Sequence, residues 1–221
     1  MTKRLFISLI IYLSVNSSLH SQYGSLELNT GGFSFIPIFT SNKPHYVLRA
    51  GTNDKRRFSL NLINLIMMDG LHPANYSLIV RYKLIDKKFQ LKAGLQLPGY
   101  RLLENEDLRS RDVGEVRASY PINATTKWLF LYLHAEGKNF EMNNNFYSFY
   151  FEKKLNKWTA TAQAYLLFTS LEPEPAYGVA QKVTYKFKDK ININIFLNKS
   201  LVDEVFNRTL GGRVFLLVGN F

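Results

Sequence analysis

The sequence contains no cysteine, which excludes disulfide scaffolds, Cys-ligated zinc, iron–sulfur centres and thiol catalysis. Histidine is scarce: of the four present, His20 lies in an N-terminal leader, so no His-rich metal site, and no cofactor, is expected. Acidic residues are few, 17 against 28 Lys and Arg, for a formal net charge of +11 over 221 residues. GxSxG, HExxH and phosphate-cradling glycine loops are all missing. No basic run is interleaved with stacking aromatics, so nucleic acid is not an expected partner. No apolar run reaches the roughly 20 residues that a membrane-spanning helix needs. A hydrophobic fraction of 46 % argues against intrinsic disorder, and the length suits one domain.

The N-terminus has the order of an export signal. Lys3 and Arg4 precede the apolar stretch Leu5 to Leu13, and small and polar residues follow from Ser14 to Ser21. A charged, then apolar, then small-residue order is that of a cleaved leader. The expected division is a signal peptide over 1–21 and a mature domain over 22–221. Removing Lys3 and Arg4 takes the formal charge from +11 to +9. The leader resembles those of secreted and outer-membrane proteins from Bacteroidetes-type bacteria.

Through the mature chain the hydrophobic period is two. Ile191, Ile193, Ile195 and Leu197 alternate with Asn192, Asn194 and Asn198. Ala160, Ala162, Ala164 and Leu166 alternate with Thr159, Thr161, Gln163 and Tyr165. Such alternation predicts half-buried strands. Tight polar turns at 85–88, 155–157 and 188–190 alternate with longer segments at 98–112, 137–144, 169–176 and 199–211. Strands are predicted near 24–30, 45–51, 57–66, 75–85, 88–97, 114–121, 126–136, 144–154, 157–168, 176–187, 190–198 and 212–221. That makes twelve, with all tight turns on one rim and all long loops on the other; the ambiguous stretch at 24–44 leaves ten open.

An even-stranded, up-and-down antiparallel array with short turns on one rim resembles a bacterial outer-membrane β-barrel. Aromatics support the likeness. Phe58, Phe89, Trp158, Phe187 and Phe221 fall beside the tight-turn rim, and Tyr46, Tyr76, Tyr147, Phe168 and Tyr177 near the loop rim, as interfacial belts require. Phe215, Leu217 and the terminal Phe221 alternate in a last strand that resembles the signal read by barrel assembly machinery; Gly219 departs from that pattern. The resemblance implies an all-β transmembrane barrel in the outer membrane of a Gram-negative bacterium, in contact with its lipids.

If apolar side chains face lipid, the expected lining of the lumen is Arg49, Arg81, Lys83, Lys92, Arg117, Lys182 and Lys186, against Glu115 and Glu152. An excess of cations around a water-filled lumen predicts a preference for small anionic solutes, as in the small porins for acidic sugars. The alternative is a closed barrel plugged by Arg–Glu pairs, acting through its loops and through a basic periplasmic rim that suits an anionic partner. A third reading is a lipid-acting enzyme built on His134, with Ser148 on the next strand as the candidate neighbour. No His-x-Ser spacing supports it, and no catalytic residue is assigned.

Overall fold

The computed structural model describes residues 22–30, 43–52, 56–102, 108–170, 172–188, 190–201 and 210–220. Within them lie twelve strands: β1 (Gln22–Asn29), β2 (His45–Thr52), β3 (Phe58–Met67), β4 (Pro73–Asp86), β5 (Gln90–Leu102), β6 (Leu108–Pro121), β7 (Thr126–Gly137), β8 (Asn143–Leu155), β9 (Trp158–Thr169), β10 (Ala176–Lys188), β11 (Ile191–Ser200) and β12 (Leu210–Asn220). Each pairs antiparallel with its sequence neighbours, and β1 pairs with both β2 and β12, so the sheet closes on itself. The array is therefore an up-and-down barrel of twelve strands, which settles the choice between ten and twelve. Closure leaves no unpaired strand edge, the one way a sheet can stand in hydrocarbon without exposed backbone polar groups. The expected leader at 1–21, residues 31–42 of the ambiguous stretch at 24–44, and Phe221 lie outside the described residues.

Side-chain direction follows the sequence alternation, with the apolar face outside. On β11, Ile195 is 56 % exposed and Asn198 2 %. On β9, Gln163 is buried while its neighbours Ala162 and Ala164 are exposed. The same inversion holds on β5, where Leu95 and Leu97 are exposed and Gln96 is buried. A water-soluble domain hides its apolar face; this barrel displays it. No helix among the described residues is long and apolar enough to cross a membrane, which bears on helices alone.

Two boundaries differ from the sequence expectation. The segment 98–112 was expected as a long loop, yet β5 runs through Pro98 to Leu102 and β6 starts at Leu108. A proline has no N–H to give the ladder and is tolerated where pairing is broken. The β5–β6 register is indeed irregular between Gln96 and Gly99, so the strand continues past Pro98. The 137–144 segment likewise shortens, because β7 ends at Gly137 and β8 begins at Asn143. Tight turns match the expected rim. Ile122 N–H donates to the Thr126 carbonyl at 2.9 Å, and Asn123 Oδ1 accepts from Thr125 N–H at 3.0 Å.

Candidate functional site

The interior of the barrel holds the charged residues, and the cross-strand register explains how they meet. Arg81 on β4 stands opposite Gly94 on β5, and Gly94 stands opposite Glu115 on β6. A middle position without a side chain leaves room for side chains on the strands either side of it to meet. A Cβ at Gly94 would come within 2.7 Å of Glu115 Cγ. Glycine here is a space for the carboxylate. Over it, Arg81 Nε donates to Glu115 Oε1, and Arg81 Nη2 lies 3.4 Å from Oε2. Arg117, two residues along β6, closes on the same carboxylate at 3.1 Å. Glu115 is almost fully covered, whereas the Arg117 side chain keeps 35 % of its surface exposed.

The remaining charges line the turn-side stretch of the interior. Lys83 is buried, with Nζ 3.2 Å from both carboxylate oxygens of Asp86 at the mouth. Lys92, half-buried, sits in register between Lys83 and Arg117, so three cations lie side by side across β4, β5 and β6. Like charges in one row repel, and Glu115 and Asp86 lie among them. Arg49 pairs with Glu27 at 3.3 Å, and Lys127 with Glu152 at 3.0 Å. Lys182 is half-buried opposite Thr161, and Lys186 is exposed near the turn rim opposite Asn192.

Glu27, Lys127 and the buried Arg111 are interior charges that the sequence reading did not single out. Glu27 falls on β1, where the alternation is weakest. Lys127 reads as a turn residue until its register opposite Glu152 is known. Arg111 falls in the segment expected to be a loop.

Further toward the loop rim two apolar clusters stand alongside the buried Asn29, His45, Asn75 and Arg111. Val47, Ile63, Leu65, Met67 and Ile79 form one buried cluster on β2–β4. Val113, Leu131, Leu133, Phe146 and Leu167 belong to a second, larger one on β6–β10. Polar side chains there bond to one another. Gln163 Nε2 donates to Ser148 Oγ at 2.7 Å, and the Tyr165 hydroxyl reaches Asn198 Oδ1 on β11 at 3.1 Å. Tyr165 makes that reach across Gly178, where a Cβ would lie 2.5 Å from the hydroxyl. This repeats the device used at Gly94.

The proposed approach of Ser148 to His134 does not occur. Ser148 is buried on the inner face, opposite Leu131, whereas His134 lies on the outer face opposite Asn145. The one-residue parity between them puts the two side chains on opposite sides of the sheet. His134 Nδ1 is instead 3.0 Å from Asn145 Oδ1. In the last strand, Phe215 pairs with Glu27 and Leu217 with Ser25 across the closing seam.

No protein-family model matches the chain, and no curated protein does. Solved structures do. A KdgM porin in complex with disordered oligogalacturonate is 10 % identical with a TM-score of 0.58, the match covering 89 % of this chain and 97 % of that one. A second KdgM porin structure is 11 % identical, with a TM-score of 0.56 and the same coverage. A NanC porin is 11 % identical at a TM-score of 0.54, again over 89 % and 97 %. Identities this low speak to the fold alone: over 89 % of its length the chain shares the β-barrel architecture of outer-membrane porins.

Proposed function

We propose that this chain is a small outer-membrane porin that passes small solutes, with a preference for anions. The observation that carries the reading is the row Lys83–Lys92–Arg117, joined by Arg81, with the carboxylates Glu115 and Asp86 among them. A cationic wall in a confined, low-dielectric channel raises the local anion concentration. The fold neighbours favour the same direction, since one KdgM porin structure holds oligogalacturonate, an acidic sugar chain. On this reading Arg49, Arg81, Lys83, Lys92, Arg117, Lys182, Lys186, Glu115 and Glu152 line the solute path. Residues 1–21 serve as a cleaved export signal, and Phe215, Leu217 and Phe221 as the cue for barrel assembly machinery.

A second reading has an observation of its own. The ion pairs across Gly94 and the buried apolar clusters toward the loop rim suit a plugged barrel. Such a barrel would act through its loops and through the basic turn rim, toward an anionic periplasmic partner. Planar-bilayer recording of the refolded mature protein separates the two. A porin gives discrete conductance steps and, across a salt gradient, a reversal potential of anion-selective sign. A silent barrel rejects the channel and leaves the plug; a cation-selective one rejects the anion preference.

A further inference from the structure

The charge of the inner wall changes along the barrel axis as well as around it. Near the tight turns, six strands each place a cation on the inner face: Lys83 of β4, Lys92 of β5, Arg117 of β6, Lys127 of β7, Lys154 of β8 and Lys186 of β10. The strand period puts them there. Lys83, Lys92 and Arg117 stand in one row. On β8 the buried Phe146 and Ser148 and the half-buried Tyr150 and Glu152 share a face with Lys154, which stands opposite Thr159. On β10 the buried Ala180 and the half-buried Lys182 and Thr184 share a face with Lys186. Among the described residues of β4–β10, the carboxylates on this stretch are Asp86, Glu115 and Glu152, which pair with Lys83, with Arg81 and Arg117, and with Lys127. Cations outnumber them.

The turns add charge of the same sign at that mouth, where Arg56, Arg57, Lys87, Lys88, Lys157 and Lys190 are exposed. The other end differs. Toward the loop rim the inner wall holds Val47, Leu65, Met67, Leu133 and Phe146 with the uncharged Asn29 and Asn75. Arg111 and the Glu27–Arg49 pair are charges there. At the rim itself exposed acids such as Asp69, Glu141 and Glu172 mix with the exposed Lys43, Arg109 and Lys199. One end of the interior is therefore cationic, and the other is largely uncharged with a mixed rim.

We propose that the barrel is a rectifying channel, conducting best when the loop side is positive and anions run from the turn rim to the loop rim. Fixed charge confined to one end makes the two directions unequal. In the cationic half anions carry nearly all the current, because cations are repelled from it. In the other half both ions carry it. When anions are driven from the turn side, they reach the junction faster than the loop half removes them as anion current. Cations entering from the loop side are stopped at the same place. Both accumulate, and the path fills with carriers. Reversing the voltage drains both, and the path resists. The inference rests on the reading of the chain as an anion-preferring porin and adds a direction to it.

The test is the open-state current of single refolded mature barrels in identical KCl on both sides, at equal and opposite voltages. The loop side is marked with Glu172→Cys, the one thiol in a chain without cysteine, by its reaction with an impermeant maleimide added to one chamber. At about 0.1 M salt the two currents should differ about twofold, the larger with the loop side positive. The ratio should approach one at about 1 M, where the Debye length falls from about 10 Å to about 3 Å. Combining Lys92→Gln, Lys154→Gln and Lys186→Gln should bring it close to one at the lower salt as well. Lys43→Gln with Lys199→Gln, at the loop end, should not lower it. Equal currents in the parent overturn the inference, as does a larger current with the loop side negative. A ratio that salt does not change, or that falls as far in the loop-end variant as in the turn-end one, also overturns it. A silent parent rejects the channel and the direction together, whereas a conducting parent with equal currents rejects the direction alone.

Discussion

Two stretches of the same inner surface use opposite chemistry. On β4–β6 the row Arg81, Gly94, Glu115 is charged and depends on a missing side chain to let partners meet. The row continues without a break into Leu133, Phe146 and Leu167 on β7–β9, where every member is buried and apolar. The change occurs in one step, between Glu115 and Leu133. The charged arc stays partly wet, as the exposure of Arg117 shows, and its groups are held by ion pairs that fix direction more than they stabilise. The apolar arc excludes water and supplies packing. Packing and charge are therefore assigned to different walls of the same interior.

The comparison is most severely tested at Phe146. Phe146→Ala leaves a cavity among Leu131, Leu133 and Tyr165 and should cost about 3 kcal/mol, read as a lowered urea midpoint of the refolded barrel in lipid vesicles. A loss no larger than that of a charged-arc variant would erase the division of labour. Next in size, Glu115→Gln leaves Arg81 and Arg117 sharing one neutral amide. With Arg117 partly exposed, the cost should be about 2 kcal/mol, and the reversal potential in a salt gradient should move further toward the anion limit. Smallest in stability is Lys92→Gln, within about 0.5 kcal/mol of the parent. The same variant should weaken anion selectivity measurably in the bilayer. If selectivity stayed unchanged while stability fell, the two walls would have exchanged roles.

Much of the architecture is legible in the chain because it depends on local alternation. Ile191 to Asn198 and Trp158 to Phe168 announce strands with one apolar face, and the regular alternation of tight turns with longer connections announces an up-and-down order. The continuation of β5 past Pro98 was not legible, since a proline followed by glycine reads as a stop until a broken register beside it is seen. The pairing of Glu115 with both Arg81 and Arg117 was hidden for a similar reason: Gly94 has no side chain to advertise its purpose. His134 and Ser148 looked like neighbours on adjacent strands. Only their parity showed that they face opposite sides.

The alternation of each strand, the excess of cations over acids and the placement of turns follow from residue order, because each is a property of a few consecutive positions. Ring closure through β1 and β12 and the register that sets Arg81, Gly94 and Glu115 in one row do not. They arise from which residue of one strand stands opposite which residue of the next. That opposition is set by the shear of the closed sheet, and no single strand carries it.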